Sequence, residues 1–209
     1  EAARETALAL VHGQLESGGW DYRIEFDPRD RAYHAYRTGD QQFDEKSKQK
    51  TPRNTTTLDD DTTQAAVRFL MRVDRALGFQ DEAIHECTLY ALQSLLDAQY
   101  PNGAWPQRFS APPDPEKHPV KAAEYPTEWS REFPKQDYRN YYTFNDNAIA
   151  DMIDLMFQAA EVYRDERYTQ AAERAGDFIL LAQMPEPQPG WAQQYDADMH
   201  PAWARKFEP

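Results

Sequence analysis

The chain repeats itself at an interval of about 85 residues, and this period restricts the possible folds more than any other feature of the sequence. Three segments share a Gly-Trp or Gly-Ala-Trp turn: "LVHGQLESGGWDYRIEF", "LLDAQYPNGAWPQRF" and "LLAQMPEPQPGWAQQY". Their tryptophans, Trp20, Trp105 and Trp191, lie 85 and 86 residues apart. A second motif keeps the same period, since "TLDDD" begins at Thr57 and "TFNDN" at Thr143. Two motifs with one period indicate a duplicated structural unit.

Each repeat has the apolar periodicity of two helices. After "DDD", Ala66, Leu70, Val73 and Leu77 follow the spacing of one helix face, and a second helix is predicted near 81–98. The same pattern predicts helices after "NDN" and near 165–182, and no alternating β-branched run indicates a strand. The sequence therefore predicts one all-α domain over residues 1–209, an (α/α) toroid of helical-hairpin repeats truncated at its C-terminus.

Charge and composition exclude several classes of protein. The formal net charge of −13 argues against a nucleic-acid partner, because phosphate binding requires a basic surface. No apolar run reaches membrane-spanning length, so no membrane partner is expected. Cys87 is the single cysteine, which excludes a disulfide framework or a cysteine-based zinc site. We expect a monomer.

The acidic runs "DDD" (59–61) and "NDN" (145–147) are predicted to lie on one face with the Trp turns. Helices within a hairpin run antiparallel, so each Trp turn returns toward the start of the next leading helix. Helix capping explains one Asp or Asn per run. Three adjacent residues are not explained by capping, since neighbouring carboxylates repel each other, and a bound Ca²⁺ or Mg²⁺ would remove that repulsion. Capping alone and a cation site that uses both runs remain alternatives here.

The tryptophans also have two interpretations. An indole at a Gly-Trp turn is often buried in the core. The segments that follow, "WDYRIEF", "WPQRF" and "WAQQY", mix rings with Arg and Gln side chains, which suit the faces and hydroxyl groups of a sugar.

Four motifs in matching order resemble the pectate lyases of polysaccharide lyase family 10. They are "TLDDDTTQAAVRFLMRV", "AQYPNGAWPQRF", "YTFNDNAIADMI" and "WAQQYDADMHPAWARKFEP". The resemblance implies an (α/α)₃ toroid that cleaves polygalacturonate, an acidic polysaccharide, by β-elimination with Ca²⁺. It also implies a secreted or periplasmic protein.

The resemblance carries roles to individual residues. The calcium site would consist of Asp59, Asp60 and Asp146. The family's catalytic arginine is expected in the C-terminal portion, where Arg205 is our candidate for it; the alternative is that Arg205 binds substrate and that the base lies beyond Pro209. Independently of the resemblance, we predict substrate contacts at polar and aromatic residues of the Trp turns and around the "NDN" run: Trp20, Trp105, Gln107, Arg139, Tyr142 and Asn145. A Pro-rich segment over 110–135 is atypical of the family, and we predict that it forms a lid or reshapes the cleft.

Three other functions are considered. A class II terpene cyclase has a related acidic motif, but Leu58 stands where that motif has its leading Asp. An (α/α) glycoside hydrolase would use Asp60 and Asp146 as an acid and base pair. A third alternative is a binding module for acidic polysaccharide without catalytic activity.

Overall fold

Helices dominate the structure. The computed structural model describes residues 1–39, 51–129, 132 and 137–202. Its helices are α1 (Ala2–Gly13), α2 (Pro28–Arg31), α3 (Thr62–Ala76), α4 (Glu82–Asp97), α5 (Ala148–Tyr163) and α6 (Glu166–Leu181). Its strands have two residues each: β1 (Thr56–Thr57), β2 (Arg108–Phe109), β3 (Tyr142–Thr143) and β4 (Gln194–Tyr195). The all-α prediction is confirmed. Among these helices, none combines the length and apolar composition needed to cross a bilayer.

The helices pair as the repeat predicts. The leading helices α3 and α5 form hairpins with α4 and α6, they contact each other, and α1 packs against α3 and α4. The trailing helices begin at aspartate caps, because Asp81 accepts a hydrogen bond from the Ile84 amide and Asp165 from the Arg167 amide. One apolar core runs through both hairpins and includes Leu70, Leu92, Met152 and Phe178.

The repeated glutamine before each Trp turn is a structural residue. The side-chain amide of Gln99 donates through Nε2 to the Gly103 carbonyl and to the Ala171 carbonyl, each at 2.9 Å. In the first repeat, Gln14 donates to the Gly18 and Cys87 carbonyls at 2.8 and 2.9 Å. Each glutamine therefore closes its own turn and ties that turn to the next trailing helix.

The short strands join the Trp turns to the acidic runs. β1 pairs with β2 and β3 pairs with β4, both antiparallel. The Thr57 amide donates to the Trp20 carbonyl at 3.0 Å, and the Thr143 amide donates to the Trp105 carbonyl at 3.2 Å. Because the two repeats share this pattern, the Trp turns and acidic runs lie on one face, as predicted.

The described part of the Pro-rich segment, 110–129, packs against the C-terminal turns. The Ala123 amide donates to the Leu181 carbonyl at 2.7 Å, and Lys121 pairs with Asp198 at 2.6 Å. The His118 ring lies 4.3 Å from the Tyr100 ring. Residues 110–129 therefore form a strap along the C-terminal turns and are not among the described residues that line the candidate site below; the lid remains a prediction.

Candidate active site

Both acidic runs form a 3₁₀ turn with the same unusual backbone. Asp60 has φ 51° and ψ 34°, and Asp146 has φ 54° and ψ 35°. The next residues, Asp61 and Asn147, are also left-handed, at φ 58° and φ 59°. Asp and Asn tolerate this region better than other residues with a β-carbon. The runs of Asp and Asn thus meet a backbone requirement that was not predicted from the sequence.

The prediction that one acid of each run caps its helix is wrong. Asp61 and Asn147 stand at the N-caps of α3 and α5, yet neither side chain accepts a capping hydrogen bond. Their left-handed conformation departs from the extended backbone of an ordinary N-cap. The Asp61 carboxylate instead pairs through both oxygens with Arg68. Asp59 and Asp60 are left for another role.

Three carboxylates from the two repeats converge beside an open polar pocket. Asp59, Asp60 and Asp146 each place one carboxylate oxygen within 4.8 Å of the others, and Asp60 and Asp146 are exposed. The pocket has a volume of ≈ 290 Å³. Its described lining is entirely polar or phenolic: Asp59, Asp60, Gln107, Tyr138, Asn145, Asp146, Gln193 and Gln194. This arrangement concentrates negative charge in one solvent-accessible place.

Neighbouring side chains orient the carboxylates. The Tyr22 hydroxyl donates to Asp59 Oδ2 at 2.5 Å, and the side-chain amide of Asn145 donates through Nδ2 to Asp146 Oδ2 at 2.6 Å. Burial, together with the hydrogen bond to Asp59, raises the pKa of Tyr22. The amide oxygens of Asn145 and Gln194 are buried and have no hydrogen-bond partner among the described residues. The site therefore offers both charged and neutral oxygen ligands.

Three predicted substrate contacts are wrong. Trp20 and Trp105 are only 2% exposed and Tyr142 only 1%. Each indole N–H donates inward, to the carbonyl of Leu10 or of Leu95. These rings pack in the core, because the helices of the hairpins cover them, and no ring face is left for a sugar.

The other predicted contacts have mixed positions. Gln107 and Asn145 line the pocket. Arg139 is not among the described lining residues; its guanidinium pairs with Asp137 at 2.5 Å, and this hydrogen bond lowers the pKa of Asp137. Arg205 lies outside the described residues, so its assignment remains a prediction.

Several residues around the pocket were not predicted from the sequence. Gln193 and Gln194 follow Trp191, and Gln193 in "WAQQY" matches Gln107 in "WPQRF", whereas Gln194 matches Arg108. Aligning the segments after the tryptophans would have found Gln193. Tyr138 has no repeat signal, since it precedes "TFNDN" in a turn that "TLDDD" lacks.

A comparison with the models of known protein families shows which family this chain belongs to. The model of the family described as pectic acid lyase matches residues 14–209. The chain belongs to the pectic acid lyase family. The family resemblance inferred from the four motifs is thereby confirmed. None of the curated proteins matches the chain.

Two solved structures share the fold of this pectic acid lyase family member. One is a family 10 polysaccharide lyase from Cellvibrio cellulosa, with a TM-score of 0.60 and 21% identity. The other is an aspartate-to-alanine mutant of that family from the same organism, in complex with a trigalacturonic acid, with a TM-score of 0.61 and 20% identity. Each alignment covers 94% of this chain and 52% of the solved chain, so this chain spans about half their length.

Proposed function

We propose that this protein cleaves polygalacturonate, or a related uronate polysaccharide, by calcium-dependent β-elimination. The observation that carries the proposal is the convergence of Asp59, Asp60 and Asp146, from two repeats, on one open pocket. Family membership supports the lyase chemistry. The structure of a relative in complex with a trigalacturonic acid supports the choice of substrate.

The residues present fit a calcium ion. Ca²⁺ prefers six to eight oxygen ligands from carboxylates, amides and water. The acidic cluster offers three carboxylates, and the buried Asn145 oxygen beside it has no partner among the described residues. When bound, Ca²⁺ would draw negative charge from the uronate carboxylate and so acidify the proton on the adjacent carbon.

The chain's own groups would bind and orient the sugar. Gln107, Gln193 and Gln194 place amide groups around the pocket, where they can hydrogen-bond sugar hydroxyls. Elimination removes the proton next to the carboxylate and expels the 4-linked oxygen of the neighbouring sugar. An arginine base is implied by the family resemblance, and Arg205 remains our candidate for it.

Hydrolysis is the second candidate function, because two exposed carboxylates face one pocket. The acidic oxygens lie within 4.8 Å of one another. Carboxyl groups of inverting glycosidases are roughly 6.5–9.5 Å apart and those of retaining enzymes about 5–5.5 Å. The close approach of these oxygens is nearer to the spacing of a retaining enzyme than to that of an inverting one.

The test is incubation with polygalacturonate in the presence of Ca²⁺ or of EDTA. Elimination is expected to produce the ultraviolet absorbance of an unsaturated uronate, and EDTA is expected to abolish it. Reducing ends released without that absorbance would overturn elimination in favour of hydrolysis. Calcium-dependent binding with no product of either kind would identify a non-catalytic binding module.

The setting of the reaction follows from its substrate. Polygalacturonate is a large anionic polymer, so we propose that the protein meets it after secretion or in the periplasm. We also propose that the protein acts as a monomer, because one chain supplies all three acids of the cluster.

A further inference from the structure

Arg108 is a cation without a carboxylate partner beside the most acidic part of the molecule. It is the first residue of β2 and directly follows Gln107, which lines the pocket. Within the described part of the chain, its guanidinium forms no ion pair, and its Nε is buried without a hydrogen-bond partner. An arginine in such surroundings is expected to pair with an anion.

Tyr22 connects Arg108 to the acidic cluster. The guanidinium carbon lies 5.3 Å from the centre of the Tyr22 ring, and Nη2 lies 3.4 Å from the Tyr22 hydroxyl. That hydroxyl donates to Asp59 at 2.5 Å. Arg108 is thus two hydrogen-bond lengths from a carboxylate that lines the pocket, and the half-exposed Tyr22 ring limits where its guanidinium can lie.

A second acid lies near the guanidinium. The pKa of Asp137 is lowered mainly by its hydrogen bond to Arg139, with a smaller contribution from the charge of Arg108. Asp137 is already held by Arg139, so it leaves Arg108 available for another anion.

We propose that Arg108, positioned by Tyr22, binds a carboxylate of the substrate at a sugar next to the one held at the acidic cluster. This inference rests on the proposed function, since it requires a polymer with a carboxylate on each sugar. Asp59, Asp60 and Asp146 repel anions, so a neighbouring uronate needs a positive partner nearby. The planar guanidinium can donate two parallel hydrogen bonds to one carboxylate. Arg108 therefore selects unesterified sugars over methyl esters at this position.

A purely structural role for Arg108 makes a different prediction. If Arg108 only offsets the charge of nearby acids or packs on Tyr22, its loss would change stability but not the preference between free acid and methyl ester. The ratio of the affinities for the free acid and for the methyl ester therefore distinguishes the two roles of Arg108.

The experiment measures calorimetric binding of trigalacturonic acid and of its methyl ester, both with Ca²⁺, to the full chain. Arg108→Gln is expected to weaken binding of the free acid by about tenfold to a hundredfold, as for one charge-assisted hydrogen bond. Binding of the methyl ester is expected to stay unchanged, so the preference for the acid falls by the same factor. Arg108→Lys keeps the charge without the planar fork, and an intermediate loss is expected.

Arg75→Gln is the matched control, because it removes one positive charge from an exposed pair with Glu161 at the other end of α3. It should leave the preference at its original value. The inference is overturned if Arg108→Gln keeps the original preference, or if Arg75→Gln lowers it equally. If Arg108→Gln does not fold, Arg108→Lys decides the matter in the same way. Failure of the unmodified chain to bind the free acid with Ca²⁺ would instead contradict the proposed function.

Discussion

In each acidic turn, the middle residue must adopt a left-handed backbone conformation and also supply a carboxylate to the pocket. Asp60 and Asp146 occupy equivalent left-handed positions, and both carry their carboxylates to the pocket. The next position needs only a residue that tolerates the same conformation, and there the two turns differ, with Asp61 in one and Asn147 in the other. Both turns carry a charge at the Asp60 and Asp146 position, whereas the positions before and after it are acidic in one turn and neutral in the other.

Asp60→Asn separates these two requirements. Asparagine tolerates the left-handed conformation but removes one of three crowded charges. In EDTA we expect the melting temperature to rise by about 2–4 °C, which corresponds to roughly 1 kcal/mol for a domain of this size. The rise that Ca²⁺ produces in the unmodified protein should disappear. Thermal unfolding with EDTA and with CaCl₂ measures both effects.

Asp177→Asn provides the control for the loss of one charge, since Asp177 is exposed on α6. It should retain the full calcium-induced rise. A calcium response that survives in Asp60→Asn would contradict the assignment of Asp60 to the cation site.

At the scale of elements, the same Trp turn has different surroundings in different repeats. All three indoles donate to a carbonyl of the preceding helix: Leu10, Leu95 or Ile179. Trp20 and Trp105 are 2% exposed, whereas Trp191 is 51% exposed. The first two turns are each followed by a packed helix hairpin, while the described residues after Trp191 contain no helix. The hydrogen bond of the indole N–H is therefore a property of the Trp turn itself, whereas burial of the indole depends on the helices that pack over it.

One of the contacts that hold the strap over 110–129 is made by a partly buried histidine. His118 Nδ1 lies 3.0 Å from the Tyr142 hydroxyl, and the ring also contacts Tyr100. Burial is the main cause that lowers the pKa of His118 below 6.5. The folded state therefore binds fewer protons than the unfolded state between that lowered pKa and 6.5.

Acidification is accordingly expected to weaken the strap. The contribution of neutral His118 is complete above pH 6.5 and falls as the pH drops toward the lowered pKa. We expect proteolysis of the segment 110–129 to accelerate between about pH 7.5 and about pH 5.5. His118→Gln removes the titrating group, so cleavage of this variant should change less over that range. Equal pH dependence in both proteins would contradict this role for His118.

At the scale of the whole molecule, the net charge of −13 opposes the compact state. Part of that charge is concentrated in the acidic cluster, where three carboxylates lie together. A cation at this cluster would lower the local repulsion and also connect an acidic protein to an acidic polymer. The fold shared with the family 10 lyases supplies the framework that brings the two repeats together.

Salt should therefore stabilise the protein when calcium is absent. Raising NaCl from about 0.01 to about 0.1 M shortens the screening length from about 30 to about 10 Å. We expect the melting temperature in EDTA to rise across this range, and to rise less when Ca²⁺ is present. Calorimetric melting at several salt concentrations checks this expectation. A melting temperature that falls with salt would show that attractive ion pairs outweigh the repulsion.

The sequence by itself determined the period, the helices and the meeting of the acidic runs. These features depend on local patterns, such as apolar spacing along one helix face and turn residues repeated 85 or 86 residues apart. The alternation of antiparallel helices then requires both runs to emerge on one face. For this reason the repeat and the family resemblance together were enough to predict that Asp59, Asp60 and Asp146 form one acidic cluster.

Only the tertiary structure decided which side chains reach the pocket. Trp20, Trp105 and Tyr142 have suitable chemistry for a sugar, but packed helices cover them. Burial is set by contacts between distant parts of the chain, and a local pattern does not encode those contacts. The position of Arg108 beside Tyr22 arises in the same way, because 86 residues separate the two side chains. Residue types thus defined the available chemistry, and long-range packing selected which of them face the solvent.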